Sequence, residues 1–226
     1  MRITVWPCAA PGGSGEELAL VAGPSDAAAR VLIVPALFEE ANRTRRMLAE
    51  TMRALAEAGI ASVLPDLPGC NESLAPLERQ DLGAWRDAMA TAAGHFGAGH
   101  VLNLRGGALV APDKLPGWRF EPIGGAQVLR PMLRARTVAA REEGRGETMD
   151  GLLEQARDAG VELAGYRLGA ALVRDLEAAG IPDAPHQAVL TLADLGGAAL
   201  WLRSEPGEDA GLSAALAGRI VADLTP

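Results

Sequence analysis

The sequence predicts an α/β fold: a mostly parallel, twisted sheet with helices on both faces. Three observations carry this. Short apolar runs alternate with longer stretches of helical periodicity, the signature of strand–helix–strand crossovers. Arg30-Val31-Leu32-Ile33-Val34-Pro35 is apolar at consecutive positions, as in a strand covered on both sides. The third is composition: 49 % of the 226 residues are hydrophobic and 22 % are charged, enough to bury a sizeable core.

Taken in order, 2–6 and 17–22 read as two strands joined by a Pro/Gly/Ser hairpin loop. The strand at 30–35 follows. Residues 44–58 then place Met47, Leu48, Met52, Leu55 and Ala56 at helical spacing, with Gly59 as the stop. Ile60 to Pro65 is the next strand and Asp66 ends it. A loop rich in Gly, Pro and Asn runs to about residue 77. A helix over 78–94 puts Leu82, Trp85 and Met89 on one stripe. Strands follow at 100–104 and 118–122.

The segment 125–160 changes character: arginine-dense, mostly helical, and broken at 142–147 by a loop expected to be mobile. It reads as a small helical insertion. Beyond it the pattern predicts a helix over 148–158, a strand at 161–164, a helix over 169–179, strands at 188–192 and 198–202, and a closing helix over 211–223. With no internal repeat and no long linker, residues 1–226 read as a single domain.

Charge narrows the function classes. Lys and Arg total 21 against 29 Asp and Glu, a formal charge of −8, which argues against nucleic acid as a partner. No apolar run approaches the roughly 18 residues of a transmembrane segment, and the first residues carry no long apolar stretch. The expectation is a cytoplasmic bacterial protein. Cys8 and Cys70 alone make neither a zinc cluster nor a disulfide framework. Walker, GxGxxG, HExxH and paired CxxC motifs are missing from the sequence, so no cofactor and no metal is expected.

In a parallel sheet the ligand site lies beyond the carboxyl ends of the strands. Three such ends carry polar residues: Pro35 to Arg46, Asp66 to Ser73, and Asn103-Leu104-Arg105-Gly106-Gly107. In this order they resemble the α/β-hydrolase superfamily, and within it the hydrolase-like proteins associated with bacterial exosortase systems. That group carries Pro-Pro-Phe-x-Glu-Glu-x-Asn-Lys-Ser-Arg-Arg-Met, seen here as Pro35 to Met47. Its Asp-Leu-x-Gly-Cys-Gly-Asp-Ser loop is matched by Asp66, Leu67, Gly69, Cys70 and Ser73. A Gly-Leu-Arg-x-Gly-Ala-Leu turn is matched by Leu104, Arg105, Gly107, Ala108 and Leu109. Leu129, Leu133, Arg134 and Arg136, then Ala164 to Leu168, are similar too, and the likeness spans about 28–180. It implies a role linked to exopolysaccharide production and protein sorting.

Arg105 stands where Gly-x-Ser-x-Gly places the serine nucleophile. A guanidinium has no lone pair to offer and stays protonated, so it cannot attack an acyl carbon. Asn103 replaces the first glycine, and Pro112, Pro116 and Gly117 cut short the helix that should follow. Among the histidines, His95 falls near a helix end, His100 at the amino end of a strand and His186 before a strand. The expected base follows the last strand, and a Ser-His-Asp reading fails on two of its three members.

The remaining candidates each have a bland reading. Glu39, Glu40, Asn42, Arg45 and Arg46, beside Phe38, line a pocket or form a solvated helix start. Asp66 is a pocket acid, a turn cap or a partner for Arg105; an Asp–Arg or Glu–Arg pair is favoured, since a half-buried guanidinium needs a carboxylate. Cys70, with Gly69 and Ser73, lies beside polar residues, but no histidine is placed to activate its thiol. The arginines of 130–145 attract an anion or a membrane surface, or simply pair with nearby glutamates.

Three functions follow as expectations. One is a pseudoenzyme that binds a small acidic or sugar-derived ligand, or a protein partner, through Arg105, Glu39, Glu40 and Arg45. Another is an esterase- or thioesterase-like hydrolase in which Glu39, Glu40 or Asp66 activates water and Arg105 stabilises an oxyanion. The last is an assembly factor, for instance a homodimeric scaffold.

Overall fold

A computed structural model describes residues 1–225. Its strands are β1 (Arg2–Pro7), β2 (Glu16–Ala22), β3 (Arg30–Val34), β4 (Ala61–Pro65), β5 (His100–Leu104), β6 (Gly117–Phe120), β7 (Val161–Leu163), β8 (Tyr166–Leu168) and β9 (Gln187–Leu190). The helices are α1 (Glu39–Glu57), α2 (Leu82–Phe96), α3 (Gly125–Glu142), α4 (Met149–Ala159), α5 (Ala170–Ala178), α6 (Leu192–Leu195) and α7 (Ala210–Leu224). Seven strands make the main sheet in the order β1-β2-β4-β3-β5-β6-β9, while β7 and β8 form a separate hairpin. β1 and β2 pair antiparallel, as do β2 and β4; every other pairing in the main sheet is parallel. The expected fold class is what the chain adopts.

The continuous apolar run of β3 explains the two layers. Leu32 and Val34 point to one face, where Trp85 and Met89 of α2, Leu129 and Met132 of α3, and Leu172 and Leu176 of α5 cover them. Val31 and Ile33 point to the other, against Met47, Leu48 and Leu55 of α1 and Leu212, Leu216 and Ile220 of α7. A strand alternates its side chains, so only an apolar residue at every position satisfies both cores.

Side-chain caps set several helix starts. Asp81 accepts from the Ala84 N–H, Thr148 from Gly151 and Asp209 from Leu212, each satisfying a donor that the first turn leaves free. α1 begins at Glu39, five residues earlier than the apolar spacing predicts. Its first turn is polar, stabilised by acids near the helix N-terminus and by the Glu39–Arg43 pair one turn on.

Three other expectations need correction. The apolar stretch 198–202 is no strand: Leu200–Leu202 forms a 3-10 turn whose Leu200 is buried in the α1/α7 layer. Gly196 and Gly197, both at positive φ, turn the chain away from the sheet edge before it. β6 stops at Phe120 because Glu121 takes φ +48 and donates its N–H to Leu190 O. The hairpin strand β8 follows a turn through Ala164 and Gly165, both at positive φ. The break at 142–147 carries ion pairs: Glu147 accepts from Arg136 at 2.8 and 3.0 Å and from Arg145 at 2.6 Å.

α3, α4, the β7–β8 hairpin and α5 lie between β6 and β9 in the chain, and α3 forms one wall of the site described next.

Candidate functional site

Strand β5 delivers Arg105 at the carboxyl edge of the sheet with φ +51, opening a 3-10 turn through Leu109. Such a backbone costs a residue with a Cβ about 1–3 kcal/mol, so the surroundings must impose it. Gly107 does so from below. A Cβ there would lie 2.2 Å from Pro35 O and 2.9 Å from Val34 O, both backbone atoms. Only a glycine lets the turn sit this close to the end of β3.

The Arg105 side chain is held on three sides. Nε donates to Glu40 Oε2 at 3.0 Å and Nη2 to Glu40 Oε1 at 3.1 Å, a bidentate fork. Nη1 reaches Glu121 O at 3.4 Å. The guanidinium carbon lies 4.5 Å from the ring centroid of Trp201, a cation–π contact. Side-chain exposure is 13 % for Arg105 and 17 % for Glu40, so both charges are largely withdrawn from water and each depends on the other.

The elements around the pair lock its partners. Phe38 precedes α1 at φ 55 and ψ −129, and its ring packs against Trp85 and Tyr166 with centroids 5.9 and 5.3 Å away. This strained residue aims the first turn of α1, and so Glu40, at Arg105. Arg43 joins two segments, donating to Trp201 O at 3.0 Å and to Glu39 Oε2 at 2.6 Å. Together they frame a cavity of about 600 Å³, within the range of small-molecule sites. Phe38, Glu40, Arg105 and Trp201 line it, with Ile123, Val128 and Met132 as apolar walls and Arg130, Arg134 and Leu202 at the exposed rim.

Of the sequence candidates, Phe38, Glu39, Glu40 and Arg105 meet in this cavity together with Arg130 and Arg134 of the arginine-dense stretch, and the rest lie elsewhere. Asn42 is exposed and donates to the Tyr166 hydroxyl at 3.2 Å. Arg45 is exposed, and Arg46 pairs with Glu208 on the outer surface. Asp66 accepts from Asn71 Nδ2 at 2.7 Å instead of pairing with Arg105. Ser73 donates to Glu17 Oε1 at 2.6 Å while its hydroxyl accepts from the N–H groups of Gly69 and Ala75. The loop after β4 is therefore a second, self-contained polar cluster.

That cluster has its own electrostatics. Burial raises the carboxyls of Asp66 and Glu17 above their ordinary values, partly offset by the hydrogen bonds from Asn71 and Ser73. Burial, then the charges of Asp66 and Glu17, push the Cys70 thiol up to about 12; burial and Glu17 push Cys8 up to about 11. Both thiols are protonated at neutral pH, the reverse of an activated nucleophile. Among the described residues no three His, Cys, Asp or Glu side chains gather as a metal site.

Sequence reasoning missed Arg43, Gln127, Trp201 and Leu202. Trp201 sits in an apolar run indistinguishable from a buried strand, and nothing local announces its 96-residue separation from Arg105. The spacing of Arg130 and Arg134 did carry a signal, since i and i+4 share a helix face.

Neither a family model nor a curated protein sequence matches the chain. Solved structures do. A haloalkane dehalogenase, the DbeA-M1 loop variant from Bradyrhizobium elkanii, superposes with a TM-score of 0.53 at 15 % identity, covering 99 % of both chains. Alpha/beta hydrolase domain-containing protein 10 from mouse gives 0.55 at 13 % identity, over 84 % of this chain and 77 % of that one. Est1E from Butyrivibrio proteoclasticus, solved with ferulic acid bound, gives 0.52 at 14 % identity over 78 % and 74 %. The fold is that of the α/β-hydrolases. The chain spans only 33 % of the epoxide hydrolase VrEH1 from Vigna radiata, 50 % of a DBJA mutant and 60 % of a proline iminopeptidase from Mycobacterium smegmatis.

Arg105 opens the turn that leaves β5, and the strand behind it is equally polar in one place. Asn103, two residues before Arg105, is fully buried and donates to Gln187 Oε1 at 2.9 Å, an oxygen that also accepts from Arg119 Nε at 3.0 Å. All three histidines lie at the opposite edge. His100 opens β5, His186 precedes β9 and His95 sits in the last turn of α2. Four residue steps along β5 separate His100 from Arg105's neighbour Leu104, about 13 Å at roughly 3.3 Å per residue.

Proposed function

We propose that this chain is a pseudo-hydrolase that binds a ligand in the cavity at the carboxyl edge of its sheet without turning it over. Following the sequence resemblance, its place is with the exosortase-associated, exopolysaccharide-linked group of bacteria, as a cytoplasmic protein. One observation carries the reading: the turn after β5 has a positive φ and a glycine packed on β3, and the side chain it presents to the cavity is an arginine locked bidentately to Glu40. An open, lined cavity at that point favours a ligand over a purely architectural role. A water-activating carboxylate is disfavoured because both Glu40 oxygens accept from Arg105, Glu39 is paired with Arg43, and Asp66 does not line the cavity.

The test is a screen of purified protein on short-chain nitrophenyl esters and thioesters, beside Arg105→Ser and Glu40→Gln. The expected result is no turnover in any of the three. Arg105→Ser stays inactive because no histidine shares that edge of the sheet. Turnover that co-purifies with the protein and disappears in Glu40→Gln would make this an enzyme instead.

A further inference from the structure

We propose that the cavity takes an amphipathic anion, its carboxylate or phosphate head held at the rim by Arg130 and Arg134 and its apolar body lying inward over Met132 and Trp201. The inference rests on the binding role proposed above and names the class of ligand.

Charge is the first argument. The chain as a whole carries −8, yet the cavity is lined by four arginines and two glutamates. Each glutamate is already committed, Glu39 to Arg43 and Glu40 to Arg105. Among the described residues Arg130 and Arg134 have no carboxylate within 4 Å, unlike Arg136, Arg145 and Arg157 of the same insertion, which all do. They stand one turn apart on α3, so both guanidinium groups face the same opening, and an anion between them relieves their mutual repulsion.

The pinned floor decides which way the ligand points. An anionic head at Arg105 would have to displace Glu40 and leave its carboxylate unpaired at 17 % exposure. The free positive charge is at the rim instead, and the space behind it is apolar: Ile123, Val128 and Met132 are buried side chains, and Trp201 closes the far wall. Leu202, 77 % exposed at the mouth, is apolar surface that an incoming chain would cover. A neutral sugar finds few free partners here, since the Gln127 side-chain oxygen is spent on the Gly124 N–H. A cationic amphiphile meets the arginines.

Titration calorimetry with decanoate and decyl phosphate, kept below the concentrations at which they form micelles, tests this. Decanol, decyltrimethylammonium, acetate and inorganic phosphate serve as comparators. Both ten-carbon anions are expected to bind at least tenfold more tightly than any comparator. The double variant Arg130→Gln/Arg134→Gln, exposed and partnerless positions whose replacement leaves the fold intact, is expected to lose at least tenfold for the anions and nothing for decanol. Decanol equal to decanoate, inorganic phosphate equal to decyl phosphate, an unaffected double variant, or no binding of any probe would each overturn the inference. The ester screen is read separately. An active protein that still selects the anions overturns only the pseudo-hydrolase reading, and an inactive one that ignores them overturns only this one.

Discussion

Two loops leave the carboxyl edge of the same sheet, and they accommodate buried charge in opposite ways. The turn after β5 matches each charge with its opposite: Arg105 and Glu40 form a fork under Trp201 and face an open cavity. The loop after β4 withdraws two acids, Asp66 and Glu17, and gives them an amide and a hydroxyl as direct hydrogen-bond partners. An ion pair is strong only if both partners stay, whereas neutral donors leave the acids short of charge stabilisation and burial raises their pKa. The first arrangement keeps a fixed, charged floor for a ligand. The second closes a loop upon itself. Polar residues at a strand end do not by themselves distinguish the two.

The comparison breaks most readily at the turn after β5. Gly107→Ala is expected to cost about 3 kcal/mol or more, because its methyl would meet two backbone carbonyls that cannot move aside. Urea unfolding measures it, and a loss under about 1 kcal/mol would mean the turn is not seated on β3 as described. Next comes the pair itself. Arg105→Met strands Glu40 and should cost about 2–3 kcal/mol. Adding Glu40→Leu should restore most of that, giving a coupling of at least about 1 kcal/mol in a double-mutant cycle. Additive losses would show that the fork contributes nothing of its own.

The smallest effect sharpens the other side. Burial raises the Glu17 carboxyl, so the folded state holds that proton more tightly than the unfolded chain. Stability from this group is thus present at acid pH and falls as pH rises past the unfolded value and through the raised folded one. Glu17→Gln keeps an acceptor for Ser73 and removes the buried charge. It should raise the melting temperature at pH 8 by about 2 °C, what 1 kcal/mol or less does in a domain of this size, and by less at pH 4. An equal shift at both pH values would sink the account of the β4 loop.

Much of this architecture was legible in the residues. Alternating strand and helix patterns predict the parallel sheet, the apolar run of β3 predicts its burial on both faces, and the lack of a nucleophile at Arg105 is plain chemistry. Less legible was the split of the candidate residues between two compartments. Asp66 and Glu40 both follow a strand, and each could have met Arg105. Only the packing of α1 behind the strained Phe38 selects Glu40. The stretch at 198–202 misled because a short apolar run fits a strand and a buried helical turn equally well.

The sequence by itself therefore determined the order of elements, the arginine after β5 and the surplus of positive charge on α3, because these depend on residue type and local period. Tertiary structure alone decided which acid neutralises Arg105, where Trp201 comes to rest, and that Arg130 and Arg134 are the cavity's unpaired charges. Those outcomes join segments up to 158 residues apart, and no local periodicity encodes a contact across that distance.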